Sequence, residues 1–290
     1  MHDVTILEIT VLLLPGMSSF NMKAQVPNDI LDTGLYVPKE NLETQKHIND
    51  IQKWTENQQM VLNEDKTKNM LFNFSKNHQF TTRLTLNGKN IKLVKDMKLL
   101  GVIVTNDLKW HKNTKHVVKK AWARIQLLKK VAEFGASTSD KLQIYKTFVR
   151  SALEQSCTVW HSSLTKGNER DLERVQKAAL KLITNRKYKT YEEELEVLNI
   201  ETLKKRREKL CLKFALKCTQ TKKTSNIFKH TQKQHQMKLK STNTFKITYS
   251  KTERLKRSAV PYMERLLNKY HKSKVKMPCG PSLDGAPGLY

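Results

Sequence analysis

Residues 82–135 read "TRLTLNGKNIKLVKDMKLLGVIVTNDLKWHKNTKHVVKKAWARIQLLKKVAEFG" and change from strand periodicity to helix periodicity. Apolar and polar residues alternate on both sides of Asn87-Gly88, a dipeptide that favours a tight β-hairpin. The apolar run "MKLLGVIV" (97–104) predicts another strand, interrupted at Gly101. From 114 onward apolar residues recur every three or four positions, which predicts a helix over 114–134. The stretch therefore predicts an α+β chain, a small antiparallel β part followed by helices.

The chain before this stretch extends the β part. "MHDVTILEIT" (1–10) predicts a strand within Val4–Leu14. That segment is too short to cross a bilayer and lacks the basic start of a signal peptide. A loop rich in proline and glycine follows over 15–38. Apolar spacing in 40–63 then predicts an amphipathic helix, and "NMLFNF" (69–74) predicts another strand.

The chain after this stretch is helical and then basic. Ser137 has the position of a helix start signal, and apolar stripes predict helices over 137–159, 172–182, 191–200 and 201–219. Past Thr219 the chain turns polar and rich in lysine, and "AVPYMERLLNKY" predicts one more amphipathic helix. We expect three parts, residues 1–111, 112–219 and 220–290, with the last one basic and partly disordered.

Charge is distributed unevenly along the 290 residues. Lys and Arg number 4 against 8 Asp and Glu in 1–60, 27 against 14 in 61–200, and 23 against 5 in 201–290, for a net charge of +27. A surface this basic attracts polyanions through counterion release. The charge therefore favours a surface that binds nucleic acid over one that is basic only for solubility. Four cysteines do not make a disulfide scaffold and fit a reducing, intracellular compartment.

Three longer stretches resemble the reverse transcriptase of non-LTR (LINE-type) retrotransposons. They are "WTENQQMVLNEDKTKNMLFNF", "LNGKNIKLVKDMKLLGVIVTNDLKW" and "FVRSALEQSCTVWHSSLTKGNERDLERVQKAALKLI". They are similar to the late palm, the primer-grip hairpin and the thumb of that family, and "YSKTERLKRSAVPYMERLLN" is similar to the region after the thumb. The resemblance covers roughly residues 1–270. It implies a palm remnant over 1–111, a thumb-like helical bundle over 112–219 and a basic tail.

The resemblance assigns the N-terminal strand to the polymerase centre. In the family that strand follows two adjacent carboxylates, which hold Mg²⁺ together with a third. Aligned on the strand, Asp3 takes the second acidic position and His2 the first, and imidazole is a softer ligand than Mg²⁺ prefers. We therefore expect a truncated reverse transcriptase-like chain with a vestigial Asp3, no cofactor and no polymerase activity. Mg²⁺ would bind only if the polymerase site were complete.

Four further residues have two interpretations each. Lys66 matches a lysine that the family places near the triphosphate, as a general acid or phosphate clamp, and is otherwise one loop lysine among many. Lys68 has the same two interpretations. In the primer-grip match, Leu100 and Gly101 are candidates for contact with the primer backbone, and the alternative is a β-bulge that serves packing.

The thumb-like helices imply phosphate contacts that do not depend on sequence, with RNA or RNA/DNA heteroduplex as partner. The candidate cations are Lys119, Lys120, Arg124, Lys129, Lys130, Arg150, Arg174, Lys177 and Lys181. Trp122 and Trp160 are interpreted as core anchors more readily than as stacking platforms. The run "KKRREK" (204–209) either contacts a backbone or forms a solvated face. We expect no membrane contact and no small-molecule substrate.

Two other sequence features bear on metal binding and enzymatic activity. Cys211, Cys218, His230 and His235 form a C-x6-C-x11-H-x4-H pattern that matches no standard zinc site, so we predict no metal. Residues 113–153 resemble the helical module named after the N-terminus of AlkB-homologue tRNA-modifying enzymes. That family would imply oxidative demethylation or methyl transfer, but none of the nine histidines has Asp two residues on. We expect shared helices without that activity.

The sequence leaves an alternative function open and predicts which parts of the chain fold independently. The alternative to a retrotransposon remnant is a basic nucleic-acid-binding or structural protein adapted from such a fragment. The helices of 112–219 have complete apolar stripes and are expected to fold alone. Residues 1–111 are not, because the strand within Val4–Leu14 would have an open, apolar edge without an upstream hairpin partner.

Overall fold

The structure, a computed structural model, describes residues 6–11, 34–35, 41–73, 83–184, 190–222, 224–231 and 243–276. The chain is mostly helical with a few small strands, which agrees with the predicted α+β class. It divides into two compact units, Met1–Asn113 and Thr114–Tyr290. Within the described residues, no helix combines the length and apolar character needed to cross a membrane.

The first unit contains a four-stranded sheet with the order β2-β1-β3-β6. Its strands are β1 (Ile6–Val11), β2 (Gly34–Leu35), β3 (Lys68–Asn73) and β6 (Lys92–Leu93). β1 runs antiparallel to both neighbours, so that Leu7 lies opposite Leu35 on one side and Phe72 on the other. The expectation of an open edge on this strand was therefore wrong, because Gly34 and Leu35, which lie within the predicted loop over 15–38, pair with Glu8 and Leu7.

Two tight hairpins accompany the sheet. The predicted one joins β4 (Thr85–Leu86) to β5 (Lys89–Asn90) through Asn87-Gly88, and both turn residues have positive φ, 50° and 77°. The second joins β7 (Asp96–Leu99) to β8 (Val102–Thr105) through Leu100-Gly101, with φ of 47° and 85°. The prediction of one strand over 97–104 was wrong, because two successive positive φ values reverse the chain within two residues.

Helix α1 (Asn41–Asn57) packs on the first hairpin. Ile48 from the helix shares a buried apolar cluster with Leu62, Leu84 and Leu86. The side-chain amide of Gln45 makes two hydrogen bonds to the backbone of Thr85. It donates to the Thr85 carbonyl and accepts from the Thr85 N–H, both at 2.9 Å. This pair reproduces strand hydrogen bonding and fixes the register of the hairpin against the helix.

The second unit is helical. Its helices are α2 (His111–Glu133, which begins in the first unit), α3 (Thr138–Ile144), α4 (Arg150–Glu154), α5 (Cys157–Trp160), α6 (Lys166–Ile183), α7 (Tyr191–Val197), α8 (Leu203–Gln220), α9 (Glu253–Lys256) and α10 (Ala259–Lys276). A π-helical segment, Tyr145–Val149, joins α3 to α4. Ser137 caps α3 as predicted, because its side chain accepts from the Asp140 N–H.

Helix α8 is central to this unit and contacts α5, α6 and α10. The buried face of α8 carries Leu203, Arg207, Cys211, Ala215 and Cys218, which are spaced by three or four residues. Phe214 is one of the apolar residues whose spacing predicted this helix, but its side chain is exposed. The smaller Cys211, Ala215 and Cys218 fill the buried face in its place.

The C-terminal region shares the core of α8. Phe228, Phe245, Met263 and Leu267 pack in one buried cluster with Cys211, Ala215 and Cys218. Asn268 on α10 joins Phe245 by two hydrogen bonds, donating to its carbonyl at 3.0 Å and accepting from its N–H at 2.9 Å. The structure therefore places described parts of 220–290 in the same compact unit as the helices before them.

Candidate nucleic-acid interface

The polymerase-related residues lie in the first unit. Asp3 lies outside the described residues. Lys66 is exposed on the turn between α1 and β3, and its backbone N–H donates to Asn63 Oδ1 at 2.9 Å. Lys68 begins β3 and is also exposed. These two lysines are therefore open to solvent, and neither is held in a defined binding geometry by the contacts around it.

The turn that carries Lys66 is tied to the first hairpin. Glu64 Oε1 accepts from Asn87 Nδ2 at 2.8 Å, and Glu64 Oε2 pairs with Lys89 Nζ at 2.5 Å. The hydrogen bond from Lys89 lowers the pKa of Glu64, and the same contact raises the pKa of Lys89. The lysine side chain remains 70% exposed, so this pair orients a surface turn and adds little stability.

Leu100 and Gly101 form the tip of the second hairpin. Gly101 lies in the turn and not within a strand, so the packing β-bulge that was the alternative interpretation is absent there. Leu100 is 73% exposed and has φ of 47°, a region that leucine rarely adopts. The two candidates therefore present an apolar, strained tip to solvent.

The candidate cations of α2 separate into different environments. Arg124 stacks on the Phe148 ring at 4.4 Å and donates to the Phe148 carbonyl and to Ser151 Oγ, so it joins α2 to the π-helical segment and α4. Lys120 donates to Gln155 Oε1 at 3.3 Å. Lys119 and Lys130 are exposed, and Lys129 makes a long, solvated ion pair with Glu133 at 3.9 Å. Arg124 is thus structural, and the lysines remain at the surface.

Helix α6 carries the other candidates in one row. Arg174, Lys177 and Lys181 are exposed and follow each other by three and four residues, so they lie along one face. Arg174 Nη1 lies 3.7 Å from Asp171 Oδ1. Lys177 Nζ lies 4.6 Å from the centroid of the Tyr191 ring. The row therefore keeps solvent-facing charge, while Arg174 and Lys177 are oriented by local contacts.

A buried network holds α6 in place below this row. Gln176 accepts from the Tyr145 hydroxyl and donates to the Tyr191 hydroxyl at 2.9 Å and to the Glu201 carbonyl at 3.0 Å. Tyr191 in turn donates to Glu173 Oε2 at 2.8 Å. Burial raises the pKa of Tyr145 well above its ordinary value, so the phenol stays protonated as a donor. The network fixes α6 against α7 and places the Tyr191 ring under Lys177.

A groove forms where α2 and α6 face each other. Its volume is about 360 Å³, and its lining combines the three cations of the row with apolar and acidic neighbours: Val118, Trp122, Asp171, Arg174, Lys177, Ala178 and Lys181. Trp122 is 40% exposed. The groove brings together three of the predicted cations and one of the two candidate tryptophans. We call this set the α2–α6 groove.

Trp160 has a different environment. It is buried, as its interpretation as a core anchor requires, and its indole N–H donates to the Gln155 carbonyl at 3.1 Å. The fully buried guanidinium of Arg207 lies 5.9 Å from its ring centroid. Arg207 Nε donates to His161 Nδ1 at 3.3 Å, and neither Nη atom has a hydrogen-bond partner in the described part of the chain. Arg207 is therefore a core residue that sequence reasoning placed in a surface run.

The run 204–209 is largely used within the fold. Lys204 pairs with Glu169 at 3.5 Å and Arg206 with Glu154 at 3.0 Å, while Lys209 pairs with Glu201. The sequence offered two interpretations of this run, a contact with a nucleic-acid backbone or a solvated face. The structure shows a third arrangement, in which charges of the run join α8 to α4 and α6. Only long-range contacts reveal it, because the partners lie far away in sequence.

The zinc pattern is not assembled. Cys211 and Cys218 are buried in the core shared with α10, and the His230 ring is tilted against Phe245 at 4.5 Å between centroids. His235 lies outside the described residues. Across the ranges that the structure describes, no three His, Cys, Asp or Glu side chains are grouped so that they could hold a metal ion.

Comparisons of the chain with protein-family models, with curated proteins and with solved structures found no match. The geometry alone defines an α+β protein whose helical unit carries a cationic groove with an exposed tryptophan.

Proposed function

We propose that this chain is a reverse transcriptase-like protein of retrotransposon origin that binds RNA or RNA/DNA heteroduplex and does not polymerise DNA by itself. The observation that carries the binding proposal is the α2–α6 groove, where Arg174, Lys177 and Lys181 line one opening. Cations in a row favour a phosphate backbone without reading its sequence. The net charge of +27 supplies long-range attraction to the same class of partner.

Electrostatic binding at the groove has a direct test. The triple variant Arg174→Gln, Lys177→Gln, Lys181→Gln should bind a labelled RNA/DNA heteroduplex at least tenfold more weakly than the parent chain in fluorescence anisotropy at 100 mM salt. The matched control changes three exposed lysines of the first unit, Lys46, Lys53 and Lys98, to glutamine. It therefore loses the same three positive charges as the test variant. Equal losses in both variants would show that only net charge matters and would reject the groove as the site.

The proposed lack of polymerase activity rests on the N-terminal residues that match the family's metal-binding turn. They offer one carboxylate, Asp3, beside His2, whereas two-metal phosphoryl chemistry needs several oxygen ligands. We expect no primer extension by this chain with Mg²⁺ or Mn²⁺ on any template. Extension above background that disappears in Asp3→Ala would contradict the proposal, and it would leave the binding proposal untouched.

A further inference from the structure

The α2–α6 groove has the size of a single nucleotide site. Its volume of about 360 Å³ lies at the lower end for pockets that enclose small ligands. Val118, Trp122 and Ala178 give it an apolar side, and Arg174, Lys177 and Lys181 give it a cationic side. An apolar aromatic face next to cations matches the two chemical halves of a nucleotide, the base and the phosphate.

An exposed tryptophan favours unpaired over paired strands by its stacking chemistry. In a duplex the base faces are covered by their neighbours, so an indole can gain nothing from stacking. An unpaired base has a free face, and stacking on an aromatic side chain is a main source of affinity for single strands. Trp122 is 40% exposed within the groove, and it would gain this contact only with an unpaired base.

We propose that the α2–α6 groove binds one unpaired nucleotide of a single-stranded nucleic acid, with the base on Trp122 and the phosphate on the cations of α6. The inference rests on the proposed nucleic-acid binding and adds to it a base contact that only a single strand makes at this site. A duplex contacts the same cations only through its backbone and does not use the tryptophan.

The charges of the groove give the bound nucleotide a direction. Asp171 lies at the Arg174 end, where its carboxylate is 3.7 Å from the guanidinium. Lys181 lies seven residues after Arg174 on the same helix, about 10 Å along its axis. A phosphate is repelled by the carboxylate and attracted by the lysines, so it binds toward Lys177 and Lys181. Neutralising the carboxylate by Asp171→Asn is expected to tighten single-strand binding.

The test uses the full chain, a 12-nucleotide single-stranded RNA, and the same RNA paired with its complement. Trp122→Leu keeps apolar cover but removes the stacking face, and Trp122→Phe keeps a stacking face. We expect Trp122→Leu to weaken single-strand binding about tenfold and to leave duplex binding unchanged, while Trp122→Phe loses about threefold or less. Thermal melting of each variant checks that the helical unit stays folded.

A spectroscopic readout adds an independent measure. The parent chain should show quenching of tryptophan fluorescence on adding the single strand, and Trp122→Phe should lose most of that quenching while still binding. If the parent chain binds neither RNA, the proposed function fails. If it binds both equally and Trp122→Leu behaves like the parent, the nucleotide inference is overturned and nucleic-acid binding stands.

Discussion

At the scale of single residues, the buried pair of Arg207 and His161 shows how the core controls a titratable group. Arg207 Nε can only donate, so His161 Nδ1 must accept and the imidazole is neutral, with its proton on Nε2. Burial, followed by the charges of Arg207 and Lys204, lowers the pKa of His161 to about 4. The Tyr262 ring packs edge-on at 5.8 Å and adds no charge.

This arrangement predicts a pH-dependent stability. The unfolded chain takes up a proton on His161 near pH 6.5, but the folded chain does so only near pH 4. His161 therefore contributes about 3 kcal/mol to the free energy of unfolding above pH 6.5. This contribution is lost as the pH falls from 6.5 toward 4. Urea unfolding at several pH values measures it.

The conservative variant His161→Gln provides the control. Its amide oxygen can still accept from Arg207 Nε, but it does not titrate. We expect a flatter dependence of the unfolding free energy between pH 6.5 and 4 than in the parent chain. An unchanged slope in this variant would assign the pH dependence to other groups and contradict the role given to His161.

At the scale of elements, the two hairpins of the first unit form a natural comparison. One turns through Asn87-Gly88 and the other through Leu100-Gly101, and all four residues have positive φ. Asparagine and glycine adopt this conformation readily, but leucine is strained there by about 1–2 kcal/mol. Because Leu100 is exposed, the strain is not offset by burial.

The variant Leu100→Asn should therefore stabilise the chain, by about 1 kcal/mol, since it gives the second hairpin the turn residues of the first. Gly101→Ala, at φ of 85°, should destabilise it by a similar amount. Thermal or urea unfolding followed by circular dichroism measures both. A loss of stability in Leu100→Asn would mean that the leucine side chain packs against another part of the chain.

At the scale of the whole molecule, the C-terminal region shares the buried core of the helical unit, and this packing argues against the expectation that 112–219 folds alone. A chain ending at Gln220 loses Phe228, Phe245, Met263 and Leu267 from the cluster around Cys211 and Cys218. Each such side chain contributes roughly 1.5–3 kcal/mol when buried, and domains have only about 5–15 kcal/mol in total.

We therefore expect the chain that ends at Gln220 to lose the cooperative unfolding of its helices. A chain that ends at Lys276 should keep it, and circular dichroism during urea titration compares the two. If both unfold with the same midpoint, the packing of α10 on α8 contributes nothing to stability, and the expectation that 112–219 folds alone would hold.

Local signals in the sequence predicted most helices and the first hairpin. Ser137 marks a helix start, Asn87-Gly88 marks a turn, and the stripe of Ala121, Ile125 and Leu128 marks a buried face. The sequence did not predict the Leu100-Gly101 turn, because leucine is not a turn residue. The burial of Arg207 and the closing of β1 by Gly34–Leu35 depend on contacts distant in sequence, which periodicity does not encode.

For the candidate site, the sequence supplied the cations but not their arrangement. The spacing of Arg174, Lys177 and Lys181 on one helix face is readable from the chain. That Trp122 faces them across a groove, while Trp160 is buried, depends on how α2 packs against α6. Trp122 and Trp160 thus have different environments, which tertiary packing decides.

The dependence of nucleic-acid affinity on salt tests the central proposal most directly. Contact with about six phosphates predicts a slope of about −4 to −5 for the logarithm of the binding constant against the logarithm of salt concentration. Each of Arg174, Lys177 and Lys181 changed to glutamine should make that slope less steep by about 1. An affinity that stays flat between 50 and 300 mM salt would contradict electrostatic binding and, with it, the function proposed for the groove.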